Sequence, residues 1–179
     1  MGIPTLISTT TADNSASLAI TSGIDSTYDE YMLVGINIDH ATSTTPHTFQ
    51  GSIDGGSNYN VAITSTAIAD YHYENDAAYG LEYWASSDLA QGTGYHRIAP
   101  AHDTDADQCA SFMLHLFSPA STTYVTHFYA YGLAAGQHPS SYNMRIAGYF
   151  NSTDNIDALS FKASSGNIVS GSIQLYGIA

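Results

Sequence analysis

Short runs with apolar residues at every second position, cut by turn signals, constrain this chain more than any other feature. Met32, Val34, Ile36 and Ile38 alternate through 31–39, with Leu33 and Asn37 on the other face. Phe112, Leu114 and Leu116 share a face in 109–117, and Val125, His127, Tyr129 and Tyr131 share one in the run that follows. Shorter runs surround Leu18 and Ile20, residues 66–73 and 79–84, Met144 and Ile146, Leu159 and Phe161, and Ile173 and Leu175. Asp54-Gly55-Gly56-Ser57, between Phe49–Ile53 and Tyr59–Ile63, is a strong hairpin signal. No segment keeps a helical period beyond two turns. The pattern predicts an all-β chain, an antiparallel β-sandwich of jelly-roll type with about nine to eleven strands.

Composition agrees with that class. Of 179 residues only 11% are charged, with three Glu, one Lys (Lys162) and two Arg (Arg97, Arg145), so exposed helix faces cannot be furnished. Thr, Tyr, Ile and Val supply much of the bulk and suit half-buried pleated positions. The length fits a single β domain over 1–179, with the polar residues 1–15 as an N-terminal arm. No linker and no fixed-period repeat interrupts it.

Charge narrows the partners. Three Lys+Arg stand against 16 Asp+Glu, a formal charge of -13. Nucleic acid is not expected, because phosphate affinity comes mainly from Lys and Arg. An anionic membrane surface is disfavoured for the same reason. No apolar run is long enough to span a bilayer, and 1–10 lacks the pattern of a secretory signal. Cys109 is the sole cysteine, which excludes an internal disulfide and a Cys-rich zinc site. Few charges also leave sheet edges without gatekeepers, and 14 tyrosines are many for one small core. Both point to a homo-oligomer, with a trimer favoured.

Chemical motifs are sparse. Asp103, Asp105 and Asp107 alternate as calcium ligands do, but Gln108 and Leu114 stand where an EF-hand needs Gly and Glu. A solvated acidic loop is the favoured reading there, and a turn and cap for Asp25, Asp29 and Glu30. His115 and His127 fall on adjacent strands and are placed to face each other, without a third ligand. His72, between Tyr71 and Tyr73, reads as a partly buried, hydrogen-bonded imidazole. The 22 serines include no Gly-x-Ser-x-Gly elbow, and Cys109 reads as a small buried hydrophobe. Asp70, Glu74, Asp76 and Glu82 offer carboxylates for glycoside cleavage without a diagnostic spacing. Neither metal, cofactor nor enzymatic activity is expected.

The segment 71–84 has a second reading. Aromatic faces beside carboxylates bind sugars, which makes Tyr71, Tyr73, Glu74, Tyr83 and Trp84 a candidate glycan site. The alternative is that these rings pack in the core or at a subunit interface, where Tyr and Trp are also enriched.

Several segments resemble one family across nearly the whole chain. These are Thr21-Ser22-Gly23-Ile24-Asp25-Ser26-Thr27-Tyr28-Asp29-Glu30-Tyr31 and the hairpin segment Ser52 to Asn60. Leu114 to Val125 resembles that family's LHLFNPSSTTYV segment, departing at Ser118 and Ala120, and 164–178 resembles its SSGN…GTIKLYGI ending. The family is the small virion structural proteins of marine tailed bacteriophages. The resemblance implies a capsid-decoration, head-fibre or tail-fibre component at the particle surface, made in the host cytoplasm, with other virion proteins as partners and no catalytic residues to carry over. A lectin-like module for host attachment is the alternative function. A sugar-cleaving spike enzyme is the third, disfavoured by the small size of the chain.

Overall fold

The computed structural model describes residues 2–136 and 139–179. It is all-β, with thirteen strands in two antiparallel sheets. In chain order they are β1 (Thr5–Thr11), β2 (Leu18–Ile20), β3 (Glu30–His40), β4 (Thr45–Ser52), β5 (Ile63–Tyr73), β6 (Tyr79–Tyr83) and β7 (Ala90–Gly92). There follow β8 (His96–His102), β9 (Ala110–Phe117), β10 (Thr126–Ala135), β11 (Ser140–Phe150), β12 (Ala158–Ala163) and β13 (Ile168–Ile178). The wide sheet runs β1-β13-β3-β9-β10-β11-β5-β6, with β7 also on β5, and the narrow sheet runs β2-β12-β4-β8. The count exceeds the expected nine to eleven because β1, β7 and β8 carry no clean apolar alternation.

Each of those three has a physical reason to escape the pattern. β1 is Thr-rich and largely exposed at the sheet edge, so its pairing with β13 rests on backbone bonds. The expected N-terminal arm is therefore a strand over Thr5–Thr11. β7 is only three residues long. β8 contains Pro100, which an edge strand tolerates because its missing donor can face away from the ladder.

The hairpin expected at Asp54–Ser57 is not formed, although the turn is. Gly55 and Gly56 take φ of 71° and 86°, and the Asp54 carboxylate accepts the Asn58 amide at 2.8 Å. Both edges of β4 are already taken, by β12 and β8, so the chain cannot return beside it. It crosses to the wide sheet and pairs there as β5 with β11.

The core lies between the sheets. Phe49, Phe161 and Leu159 of the narrow sheet meet Leu33, Phe112, Leu114, Phe128, Phe150 and Leu175 of the wide one. The phenylalanines pack edge-to-face and offset, with Phe49–Phe128 centroids 5.4 Å apart at 89° and Phe112–Phe161 5.4 Å apart at 17°. At Gly132 the sheets approach closely, since a Cβ there would lie 2.1 Å from the Ile98 carbonyl oxygen and 2.6 Å from Ala99 Cα. Those obstacles are backbone and cannot swing aside. Gly132→Ala is expected to cost about 3 kcal/mol, the upper part of the overpacking range, read as a lower urea midpoint.

The wide sheet outreaches the narrow one. Beyond β9 its inner face is covered only in part, by β8 and by loops. Its outer face has no layer over it. These two surfaces position everything that follows.

Candidate functional site

The inner face near β5, β6 and β11 gathers part of the expected glycan site. Residues alternate in facing, and Ile63, Ser65, Ala67 and Ala69 of β5 point into the sandwich, so Tyr71 and Tyr73 continue on that face past the narrow sheet. Tyr71 stacks on Tyr142 of β11 with centroids 5.1 Å apart at 14°. Tyr73 lies 5.8 Å from Tyr71, and Trp84 6.2 Å from Tyr142 at 26°. The Trp84 amide donates to the Ala67 carbonyl at 2.8 Å, which fixes the indole just past the end of β6. Glu82, opposite Ala69, shares that face. Burial pushes the Tyr142 hydroxyl up from its ordinary range, helped by Tyr73, Tyr71 and Glu82.

The other two expected residues stand apart. Tyr83 is paired with Ile68, so it faces outward on the opposite side of the sheet, where its hydroxyl donates to Asp88. Glu74 sits in the β5–β6 turn, its amide donating to the Pro139 carbonyl at 2.8 Å. Its surroundings are an open groove lined also by His72, Ser111, Leu133 and Ser141. Tyr142 and Arg97 complete the aromatic group from distant strands, and a residue-by-residue reading had no signal for either.

The remaining candidates resolve into structural roles. Asp25 accepts the Thr27 amide at 2.8 Å and the Tyr31 hydroxyl at 3.0 Å, and its carboxyl is held below the usual range chiefly by Thr27. Gln108 closes the 102–107 loop by accepting the Asp103 amide at 2.8 Å. Among the described residues, no group of three or more His, Cys, Asp or Glu converges on a metal position. His115 and His127 do not face each other. His115 is opposite Tyr129 and stacks on it at 4.6 Å, while His127 is opposite Phe117. His72 is exposed rather than partly buried and pairs with Asp76 at 3.0 Å.

A buried histidine cluster escaped the sequence pattern. His40 of β3, His47 of β4 and His102 of β8 are each at most 1% exposed. His40 Nδ1–H donates to the Thr45 carbonyl at 3.0 Å, so His40 Nε2 accepts from His47 Nδ1–H, also at 3.0 Å. His102 Nδ1–H donates to the Asp103 carbonyl at 2.7 Å. Nε2 of His47 and of His102 is then buried without a partner, so a second proton on either would find no acceptor. Burial lowers His40 to about 4, with the nearby His102 adding to it and Asp39 opposing, and burial drives His47 well below its ordinary value.

The outer face of the wide sheet is the other notable surface. One cross-strand row reads Val34–Met113–Tyr131–Arg145–Ile68–Tyr83 across six strands. Neighbouring rows add Leu133 and Leu81, and His115 and Tyr129. Met113, Tyr131, Leu133, Ile68, Leu81 and Tyr83 are all exposed. Arg145 pairs with Asp70 at 3.1 Å, and His115 pairs with Glu30 of the adjoining row. Neither a protein-family model nor a curated protein sequence matches the chain.

Proposed function

We propose that the chain is a bacteriophage virion structural protein without enzymatic activity, an exterior capsid-decoration or fibre component. In this reading it works at the particle surface as a homo-oligomer, with a trimer favoured. The observation that carries the proposal is the bare outer face of the wide sheet. Six strands at about 4.8 Å spacing and about 20 Å of strand length give a patch on the order of 500 Å². A face of that size matches the largest apolar patch of a typical soluble protein, and such patches are often interaction sites. On this face Arg145 is neutralised by Asp70 and Glu30 is paired with His115, which suits a chain of charge -13 to meeting copies of itself there.

The strand order supports the same reading. We read β1-β13-β3-β9 facing β2-β12-β4-β8 as the core of an eight-stranded jelly roll, an architecture used by viral capsid and lectin domains. On this view β5–β7 and β10–β11 are insertions that widen one sheet. A fold does not assign a role, so the reading stands on the surface and on the sequence resemblance. Electron microscopy of particles made with and without the protein tests it. Exterior density should vanish in its absence, and unchanged particles that lack the protein would refute the proposal.

A second reading, a lectin-like module for host attachment, is favoured by one observation, the Tyr71–Tyr142–Trp84 stack beside Glu82. A glycan array checks it, with Tyr142→Ala expected to abolish any neutral-sugar signal.

A further inference from the structure

The chain has three Lys+Arg, and the fold uses only one of them in an ion pair among the described residues. Arg145 is taken by Asp70. The other two, Arg97 and Lys162, lie in one outward-facing row of the narrow sheet, Lys162–Thr48–Arg97 across β12, β4 and β8. Their backbones are two strand spacings apart, about 10 Å, close to the span of one substituted sugar ring. Each cation rests on an aromatic ring instead of a carboxylate. Arg97 Cζ is 4.7 Å from the Trp84 ring centroid, and Lys162 Nζ is 4.0 Å from that of Tyr95.

Beside Arg97 opens a cleft of about 350 Å³, lined also by Thr48, Ser87, Tyr95 and Ser164, and Lys162 lies over the ring of Tyr95. That volume is within the range of small-ligand sites. Ser87 is 6% exposed, and its Oγ is buried with no hydrogen-bond partner. A buried hydroxyl without a partner is costly, as is a half-buried guanidinium without a counter-charge, so both groups call for an oxyanion. Asp88 is also on the wall, but its carboxylate accepts the Tyr83 hydroxyl.

The walls are held in place before any ligand arrives. The Ser87 amide donates to the Trp84 carbonyl at 2.8 Å, and the Ser65 amide to the Leu89 carbonyl at 2.9 Å. Ser65 Oγ accepts the Leu89 amide at 3.0 Å and bonds His96 Nε2 at 2.6 Å, tying the 84–89 loop to β8. Such preorganisation lowers the cost of binding. The net charge of the chain is no bar, because fields from distant carboxylates fade over about 8 Å at physiological salt.

We propose that the cleft between β8 and the Trp84–Leu89 loop binds an anionic saccharide, one that carries a carboxylate or a phosphate on its ring. The Arg97 guanidinium grips two oxygens of the anion as a fork, Ser87 supplies a further donor, and Lys162, over the Tyr95 ring of the wall, adds its charge. The site is independent of the assembly role. It deepens the glycan reading, with a charged ligand and different anchoring groups.

Trp84 is the sole tryptophan and lies against Arg97, so its emission reports on that guanidinium. The full chain is titrated with glucuronate, glucose 6-phosphate and glucose. A saturable change with either anion and none with glucose is expected, and the tighter of the two identifies the anionic group. Arg97→Gln should abolish the response and Lys162→Gln should weaken it about tenfold, a charge-assisted bond being lost in the first and a nearby charge in the second. Should Arg97→Gln fail to fold, Lys162→Gln carries the test. No saturable response to either anion, an equal response to glucose, or unchanged binding in both variants would overturn the proposal. Neutral-sugar binding lost in Tyr142→Ala, together with no response to either anion, would overturn it while sustaining the glycan reading itself.

Discussion

Acidification from pH 7 to pH 4 is expected to remove about 3 kcal/mol of stability through His40 alone, with a further loss from His47. Both are neutral in the folded protein because burial penalises their charged forms, with His40 at about 4 and His47 well below its ordinary value. The unfolded chain takes up those protons near pH 6.5. Between 6.5 and about 4 the unfolded state therefore binds more protons than the native one, and stability falls as pH falls. It is fully present above 6.5. His40 and His47 are joined by a hydrogen bond of 3.0 Å, so these two titrate as a pair. His96, also lowered mainly by burial, adds loss in the same direction. Urea midpoints measured from pH 7 to pH 4 check this. A midpoint independent of pH would contradict the assignment of neutral, buried imidazoles.

Phe161→Ala is expected to cost about 3–5 kcal/mol, toward the top of the range for an aromatic ring removed from a core. Phe161 is fully buried and has three aromatic neighbours. It stacks on Phe112, lies 6.3 Å from Phe49 and 6.2 Å from His47, and its strand pairs with β4 on one side and β2 on the other. Those aromatic neighbours are rigid and cannot collapse into the space, so most of the cavity persists. Phe161→Leu, which keeps most of the volume, should cost roughly 1.5 kcal/mol or less. Chemical denaturation at pH 7 checks both, and a loss below about 1 kcal/mol for the alanine variant would place the core elsewhere.

What the sequence discloses follows from how local each feature is. The strands β3, β9, β10 and β13 are legible by their alternation, but in β3 and β10 the runs Met32–Val34–Ile36 and His127–Tyr129–Tyr131 line the outer face, and the core takes Tyr31, Leu33, Phe128 and Ala130 instead. β1 is held by backbone bonds at an edge, and β8 carries Pro100, so neither advertises itself. The turn at Asp54–Ser57 is local and forms as read. Its hairpin does not, because the partners of β4 are decided by strands more than 40 residues away.

The site divides the same way. Tyr71, Tyr73 and Trp84 are brought together as the segment implies, whereas Tyr83, next to Trp84, faces the other side by the parity of a strand. Tyr142, Arg97 and the histidine cluster come from strands brought together only by long-range pairing. A cluster of aromatic letters says nothing about which neighbours a distant strand will bring.

The central claim is that the aromatic outer face of the wide sheet joins copies of the chain. Sedimentation velocity at micromolar concentration tests it most directly, with Leu133→Asp beside the unaltered protein. Leu133 is 53% exposed, so the substitution spares the core while placing an unpaired charge in the middle of the face. The account predicts a species of three times 19.0 kDa for the unaltered chain and dissociation toward monomer for the variant. A monodisperse 19.0 kDa species for the unaltered chain, or an assembly that Leu133→Asp leaves intact, would contradict it.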